Sequence, residues 1–235
     1  MPKGDLYSRS DPAYWRAALD LYPDAVKAKG HKQRNLLALD KWYQEELPMA
    51  ITQRKEKYLT KEELVKLMEW KLTRGKFRPR LQQLVATNAS QSVEDCTRKA
   101  FELLPDVAAA VKELSKLKAV GPATASAILA AGAPEAAAFM ADEAVESIPG
   151  LAPVQYTLQH YLLYLDQVQS CVERLNRVDK EKTWTPHLVE RCLWASAVAD
   201  KLRLPSLQIL DGAKEEAGHD DTDGARRARK KQRTE

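Results

Sequence analysis

The sequence lacks the features that mark several classes of protein. No stretch of its 235 residues reaches the roughly 18 uncharged apolar residues that a membrane-spanning helix needs, and the first five residues, MPKGD, do not resemble a secretory signal. Cys96, Cys171 and Cys192 follow no CxxC or Cys/His spacing, which argues against disulfides, zinc and iron–sulfur clusters. We therefore expect an intracellular protein with buried thiols and without a membrane, metal or other cofactor.

Glycine is also scarce, at nine residues, and alternating β-branched runs and Asn-Gly turns are absent, which argues against a β-sandwich or barrel. Apolar residues instead recur at helical spacing, for example at Val107, Val111 and Leu114. Three helix-start signals accompany this pattern: Thr60 with Glu63, Ser92 with Asp95, and Thr185 with Pro186. The sequence predicts an all-α domain of roughly nine to eleven helices over residues 12–210, after a flexible N-terminus at 1–11.

Residues 211–235 differ in composition from the rest of the chain. They contain no Leu, Ile, Val or aromatic residue, and their seven Lys/Arg balance seven Asp/Glu, so the net charge of +4 belongs to the first 210 residues. A segment with so little apolar surface is expected to be disordered. Its basic run, Arg226 to Arg233, fits a nuclear-import signal or a nonspecific DNA arm, which predicts a nuclear protein that binds an import receptor; a solvated tail without a receptor is the alternative.

A short segment between two predicted helices carries the clearest functional pattern. It reads LKAVGPATA from Leu117 to Ala125. Gly121 marks a tight turn that needs either a positive φ or the close approach of another chain to the backbone. The second helix begins near Pro122, and its first N–H groups are suited to an anion such as a phosphate. A plain turn between packed helices has the same spacing.

The pattern Leu-x-x-Val-Gly-x-x-Thr-Ala resembles the helix-hairpin-helix motif, here at about residues 107–131, with Lys118 and Ala119 where the motif usually has Pro and Gly. The resemblance implies that this hairpin holds the backbone of double-stranded DNA without reading its sequence. The residues implied in that contact are Val120, Gly121, Ala123 and Thr124.

The sequence after the hairpin, FMADEAV at residues 139–145, narrows the resemblance. It is similar to the DNA glycosylases of the helix-hairpin-helix superfamily, in their endonuclease-III-like and alkyl-base groups, which carry a catalytic aspartate about this far beyond the hairpin. The resemblance implies a multi-helix glycosylase-like fold over about residues 60–205 and a catalytic role for Asp142. Ala123 stands where bifunctional members have a lysine nucleophile, so the resemblance also implies hydrolysis without a lyase step.

In that chemistry the damaged base rotates out of the duplex, and a carboxylate stabilises the positive charge that develops on the sugar as the N-glycosidic bond breaks. Two alternatives remain for this region. Asp142 is also a typical N-cap for a helix whose inner face includes Val145 and Ile148. Glu143 becomes the acidic residue of the site if the alignment is shifted by one position.

A second segment, residues 70–80, reads WKLTRGKFRPR and carries five basic residues, Lys71 among them, without an acidic one. Clustered positive charge binds phosphates through charge-assisted contacts and counterion release. The predicted DNA-binding residues of this segment are Arg74, Lys76, Arg78 and Arg80. Alternatively, the segment is a solvated helix end, in which the basic side chains complement the helix dipole while Trp70 and Phe77 pack inward.

The later helices contain isolated histidines and several aromatic residues, which we assign to the core or to a pocket wall. They are Tyr156, His160, Tyr161, Tyr164, Trp184, His187 and Trp194.

Together these features predict a nuclear DNA glycosylase of base excision repair, taken to be a monomer, that hydrolyses the bond to a damaged or mispaired base. One alternative is a non-catalytic DNA-binding or scaffold protein that retains the glycosylase fold. Another is an all-helical protein-interaction module without a nucleic-acid partner.

Overall fold

A computed structural model describes residues 6–31, 33 and 35–204. Helices account for most of this part of the chain, and no β-strand occurs within it, so the predicted all-α class is confirmed. The α-helices are α1 (Pro12–Asp20), α2 (Tyr22–Gly30), α3 (Leu36–Lys41), α4 (Leu47–Gln53), α5 (Lys61–Arg74), α6 (Pro79–Val85), α7 (Ser90–Glu102), α8 (Val107–Leu114), α9 (Pro122–Gly132), α10 (Asp142–Glu146), α11 (Leu158–Val178) and α12 (Pro186–Leu202).

Twelve α-helices in the described residues exceed the predicted nine to eleven. A π-helical turn, Trp42–Glu46, lies between α3 and α4 and separates them as two elements of one continuous helical run. Two other helices are short: α6 has seven residues and α10 has five. Helices of this length contain too few apolar positions to show a period.

The N-terminal boundary differs from the prediction. A single 3₁₀ turn, Leu6–Ser8, precedes α1, and Leu6 in it is buried. The Tyr7 hydroxyl donates to the side chain of Gln167 at 2.9 Å, and Arg174 donates to the Tyr7 carbonyl at 2.7 Å. The folded domain therefore begins by Leu6 and not at residue 12, because a three-residue turn is too short to show apolar periodicity. Residues 1–5 of the predicted flexible N-terminus lie outside the described residues.

Two of the three predicted helix starts are confirmed. Thr60 and Glu63 form a reciprocal capping box on α5, and the Thr185 side chain accepts from the Leu188 amide at the start of α12. The third is wrong, because α7 begins at Ser90 and places Ser92 inside its first turn.

Helix α9 runs through the centre of the domain. Ten of its eleven residues are buried, and most of them are small, so α4, α5, α8 and α11 can pack closely around it. The Tyr43 hydroxyl donates to the Ala127 carbonyl at 2.8 Å, and the Ser126 hydroxyl accepts from the Met140 amide at 2.9 Å. These bonds fix the segment after α9, and with it the start of α10, relative to the hairpin.

The three cysteines are buried and free, which confirms the sequence prediction. No described helix is long and apolar enough to cross a bilayer. The predicted disordered tail, residues 211–235, and its basic run lie outside the described residues.

Candidate functional site

One cavity joins the three segments that the sequence analysis singled out. It encloses about 430 Å³ and lies where the end of α5 meets the hairpin before α9 and the start of α10. Its walls include Lys76 from the basic segment, Gly121 from the hairpin, and Asp142. These residues are widely separated in sequence, so only the fold brings them together.

The hairpin turn has a different geometry from the one predicted. Its left-handed residue is Ala119, with φ of 64°. Gly121 has φ of −102° and ψ of −175°, which is extended backbone, so the expectation of a positive φ there is wrong. Apart from Gly121 and its chain neighbours, no described residue has an atom within 4 Å of the position that a Cβ on Gly121 would occupy, and the residue is exposed. The open face of the turn thus leaves room for another chain to approach, the other reason given for glycine at this position.

Asn88, which the sequence analysis did not identify, holds the turn from the side. Its side-chain amide donates to the Lys118 carbonyl at 3.0 Å, and its side-chain oxygen accepts from the Lys118 amide at 2.9 Å. Asn88 is buried. The two bonds satisfy the buried Asn88 side chain, which would cost free energy if it were unpaired. They also hold the backbone of Lys118 and thereby support the strained conformation of the next residue, Ala119.

The other three predicted hairpin contacts have buried side chains: Val120, Ala123 and Thr124. Because their side chains are buried, only the main-chain groups of these residues can contact a phosphate. The first N–H groups of a helix have no carbonyl in a preceding turn to bond, so the start of α9 supplies such donors next to exposed Gly121.

Asp142 does not cap α10. It occupies the first helical position, and the N-cap residue, Ala141, makes no side-chain capping bond. The Asp142 carboxylate instead accepts from the Tyr156 hydroxyl at 2.8 Å and pairs with the Lys76 ammonium at 2.7 Å. A purely capping role for Asp142 is therefore wrong, because both of its partners come from the cavity.

Glu143 also borders the cavity, but its carboxylate has a separate partner. It pairs with the Lys29 ammonium at 2.8 Å, and that ammonium lies 5.3 Å from the ring centroid of Trp194. The Glu143 pair ties α2 to α10. Of the two neighbouring acids, Asp142 is the one that contacts the basic segment.

Tyr156 has a role that no local pattern indicates. It was assigned with other residues to the core or a pocket wall, and it does line the cavity. It is 39% exposed and bonds Asp142 from the loop before α11, a contact that the sequence did not predict. Burial and the bond to Asp142 both raise the pKa of its hydroxyl, so Tyr156 remains a donor to the carboxylate at neutral pH. Most other members of that group form the core or the wall as predicted: His160, Tyr161, Tyr164 and Trp184 are buried, and Trp194 borders the cavity. His187 is half-buried.

Three basic residues of the segment face solvent. Lys76 is 65% exposed despite its ion pair, Arg80 is exposed, and exposed Arg78 places its guanidinium 5.2 Å from the ring centroid of Tyr156. Phe77 is 77% exposed, so the expectation that it packs inward with buried Trp70 is wrong. The segment presents charge at the rim of the cavity.

Arg74 does not belong to this exposed group, and its predicted role in holding the DNA backbone is wrong. Its side chain is 1% exposed and donates to Glu190, which is equally buried, at 2.8 Å. Its guanidinium lies 4.1 Å from the ring centroid of Trp194 and 5.4 Å from that of Phe139. Because the paired charges and the aromatic rings enclose it, a phosphate on the surface of a duplex cannot reach it.

Arg74 nevertheless contributes to the inner end of the cavity, together with Phe139 and Trp194. Its Nε and one terminal nitrogen are fully buried and have no hydrogen-bond partner among the described residues. The inner end of the cavity is thus bordered mainly by aromatic side chains, which suits a flat apolar ring.

Lys71 is a second cavity residue without a predicted role of its own. It lies on α5 one turn before Arg74 and is half-buried in the wall. Burial and the nearby Arg78 guanidinium lower the pKa of Lys71 to about 8, and the charge of Asp142 opposes them. Sequence analysis treated Lys71 as one more charge near a helix end.

No protein-family model, curated protein or solved structure matches this chain. The cavity itself therefore supports the functional argument. It offers a carboxylate held by two donors, a rim of exposed basic side chains, an open hairpin turn and an aromatic inner wall.

Proposed function

We propose that the protein is a DNA glycosylase that hydrolyses the N-glycosidic bond of a damaged or mispaired base in duplex DNA. The observation that supports this proposal is the convergence of Asp142, the hairpin turn and the basic rim on one cavity. The basic rim was predicted independently of the resemblance that implied the hairpin and Asp142, so its position beside them supports the proposal.

The rim and the hairpin would hold the DNA backbone. Lys76, Arg78 and Arg80 supply charge, and the N–H groups that follow Gly121 supply donors for a phosphate. None of these groups reads a base edge, so binding would be insensitive to sequence and sensitive to salt.

A base rotated out of the duplex would enter the cavity. Its volume of about 430 Å³ lies within the range of small-molecule sites. Phe139 and Trp194 border its inner end, so a flat base would lie against aromatic side chains there.

Asp142 would stabilise the positive charge that develops on the sugar and orient the attacking water. In the free protein this carboxylate pairs with Lys76, whose side chain is 65% exposed. Such an exposed pair is worth at most about 1 kcal/mol, so a DNA phosphate can take over the ammonium. DNA binding would thereby leave Asp142 with Tyr156 as its remaining donor, next to the reacting sugar.

A non-catalytic DNA-binding protein is the second candidate. The observation that favours it is the pairing of Asp142 with Lys76, which in the free protein occupies the carboxylate that the chemistry needs. Under this hypothesis the rim and hairpin bind DNA, but no bond is broken.

Release of free bases separates the two functions. The purified protein is incubated with duplex DNA that carries alkylated, oxidised and deaminated bases, and free bases are identified by mass spectrometry. A glycosylase releases at least one of them, whereas a binding protein releases none while retaining salt-sensitive duplex affinity. Loss of both activities from the folded protein would favour a protein-interaction module.

A further inference from the structure

The aromatic rings at the inner end of the cavity already surround a cation of the protein. The Arg74 guanidinium lies 4.1 Å from the ring centroid of Trp194 and 5.4 Å from that of Phe139. Two further ring centroids lie at 5.3 Å and 5.8 Å, those of Trp70 and Tyr22. We call Arg74 and these four rings the arginine cage. Because a cation binds to an aromatic ring within about 6 Å of its centroid, Arg74 occupies the place that a positively charged ligand would need.

Other groups cover part of the remaining ring surface in the arginine cage. Trp70 stacks on Tyr43, with centroids 3.5 Å apart and an angle of 8° between the planes, so one of its faces is covered. The Lys29 ammonium lies 5.3 Å from the Trp194 centroid. A positively charged ligand against Trp194 would therefore lie close to two cations of the protein, which repel it strongly where little water screens the charges.

Arg74 is held in the arginine cage by its ion pair. Its guanidinium donates to Glu190 at 2.8 Å, and each of the two side chains is 1% exposed. Withdrawal of the guanidinium would leave a buried carboxylate without its partner, which costs much free energy. A ligand must therefore bind with Arg74 in place.

The acids around the cavity are also engaged with cations of the protein. Glu190 pairs with Arg74, and Glu143 pairs with Lys29 at 2.8 Å. Asp142 pairs with Lys76 in the free protein and is the carboxylate that the proposed function assigns to the sugar. Among the described residues, the inner end thus offers a positively charged base neither an unoccupied aromatic cage nor a carboxylate without a cation.

We propose that the cavity selects neutral bases and excludes positively charged ones, and that Arg74 determines this selection. The inference rests on the proposed function, whose substrate class it narrows. Deaminated, oxidised and mispaired bases are neutral flat rings, whereas purines alkylated at N3 or N7 in DNA carry a positive charge. The substrate is therefore a deaminated, oxidised or mispaired base and not an alkylated purine.

A pair of free bases tests the selection without DNA and without bond cleavage. N1-methylcytosine is uncharged at neutral pH, and its N3-methylated form differs from it by one methyl group and one positive charge. Each base is titrated into full-length ¹⁵N-labelled protein. The indole N–H signal of Trp194, assigned with Trp194→Phe, reports binding at the inner end. We expect the neutral base to bind at least tenfold more tightly than the cationic one.

Two variants test the role of Arg74. The double variant Arg74→Met, Glu190→Gln removes the cation together with its partner, so no buried carboxylate is left unpaired, and it should bind the cationic base at least fivefold more tightly than wild type. Arg191→Met is the control. It removes a cation 4.3 Å from the Tyr22 centroid that does not border the cavity, and it should retain the selection of wild type. Melting temperatures establish that the variants are folded.

Equal or tighter binding of the cationic base by wild type would overturn the proposal, as would an unshifted Trp194 signal with both bases. The comparison in wild type is decisive even if the double variant does not fold. Unchanged selection in a folded double variant would remove Arg74 as its cause.

The selection and the proposed function can fail separately. Free bases have no glycosidic bond, so selective binding without any base release from DNA would remove the enzyme and leave the selection. Conversely, release of an N7-alkylated guanine or an N3-alkylated adenine from alkylated DNA would overturn the selection while supporting the glycosylase.

Discussion

Arg74 and Lys71 belong to the basic segment but, unlike Lys76, Arg78 and Arg80, they are not exposed. Both lie on the apolar stripe of α5, where Leu67 and Trp70 precede Arg74 by seven and four positions and Leu67 precedes Lys71 by four. That periodicity is visible in the sequence and marks both side chains as facing inward. The partner of Arg74 is not visible there, because Glu190 is 116 positions away on α12.

The exposed basic residues should control DNA affinity. Replacing Lys76, Arg78 and Arg80 together with Ala should weaken duplex binding by about tenfold or more at low salt, since each of these side chains neutralises a phosphate. The slope of log affinity against log salt should become shallower by about one for each phosphate that is no longer neutralised. Fluorescence anisotropy over a salt series measures both quantities.

A control variant removes two charges elsewhere. Arg177 is exposed at the far end of α11, whose 21 residues span about 30 Å, and exposed Lys180 lies just beyond that end. Their double alanine variant should retain wild-type affinity and slope. Binding weakened in both variants in proportion to the two or three charges removed would show that only net charge matters, and unchanged binding in the triple variant would remove the rim from DNA recognition.

The hairpin between α8 and α9 lies where the sequence predicted it, but its backbone conformation differs from the prediction. Sequence analysis placed the turn correctly but assigned the unusual backbone to Gly121, because glycine is the residue that tolerates a positive φ. The structure assigns it to Ala119, whose neighbour Lys118 is held on both sides by Asn88. Asn88 lies 30 positions before Lys118, so local sequence spacing does not reveal this contact.

Ala119→Gly should therefore stabilise the protein. A left-handed backbone costs a residue with a Cβ about 1–2 kcal/mol, and part of this gain is offset by the greater freedom of glycine in the unfolded chain. We expect a free energy of unfolding higher by about 0.5–1 kcal/mol in urea titrations. Ala119→Val should be destabilising, because a branched side chain tolerates this conformation poorly. A less stable glycine variant would contradict the assignment of strain to this position.

The all-α architecture was largely predictable, whereas the arrangement of its helices was not. Apolar periodicity and the caps at Thr60 and Thr185 reflect local physics, and they placed the larger helices. The cavity depends on contacts between distant elements, such as Tyr156 with Asp142 and the packing of α9 in the centre. These contacts are decided by tertiary packing, which no local pattern encodes.

The stability of the domain should fall at acid pH because of His187. Its Nε2 lies 2.8 Å from the Gln44 side-chain oxygen, its Nδ1 is enclosed and has no hydrogen-bond partner among the described residues, and part of the residue reaches the surface. Burial, with the charges of Arg191 and Arg74, lowers the pKa of His187 to about 3. The unfolded chain takes up a proton near pH 6.5, so stabilisation is present above that pH and is lost as the pH falls toward 3.

Between about pH 6.5 and 5, protonation of His187 in the unfolded chain should lower the free energy of unfolding by about 2 kcal/mol. Burial raises the pKa of neighbouring Glu190 and works in the opposite direction, so the comparison is made against His187→Gln, which retains Glu190. Urea titrations at about pH 7.5 and pH 5 should show a steeper decline of stability in wild type than in the variant. Parallel declines would mean that His187 does not titrate as its environment indicates.

The decisive measurement compares two neighbouring acids of the cavity. Single-turnover rates of base release are measured for wild type, Asp142→Asn and Glu143→Gln, with the released base identified by mass spectrometry and duplex affinity recorded in parallel. Our interpretation predicts that Asp142→Asn abolishes release while binding DNA within a few fold of wild type, and that Glu143→Gln keeps most of the rate. Undiminished release by Asp142→Asn would remove this carboxylate from the chemistry and contradict the proposed site.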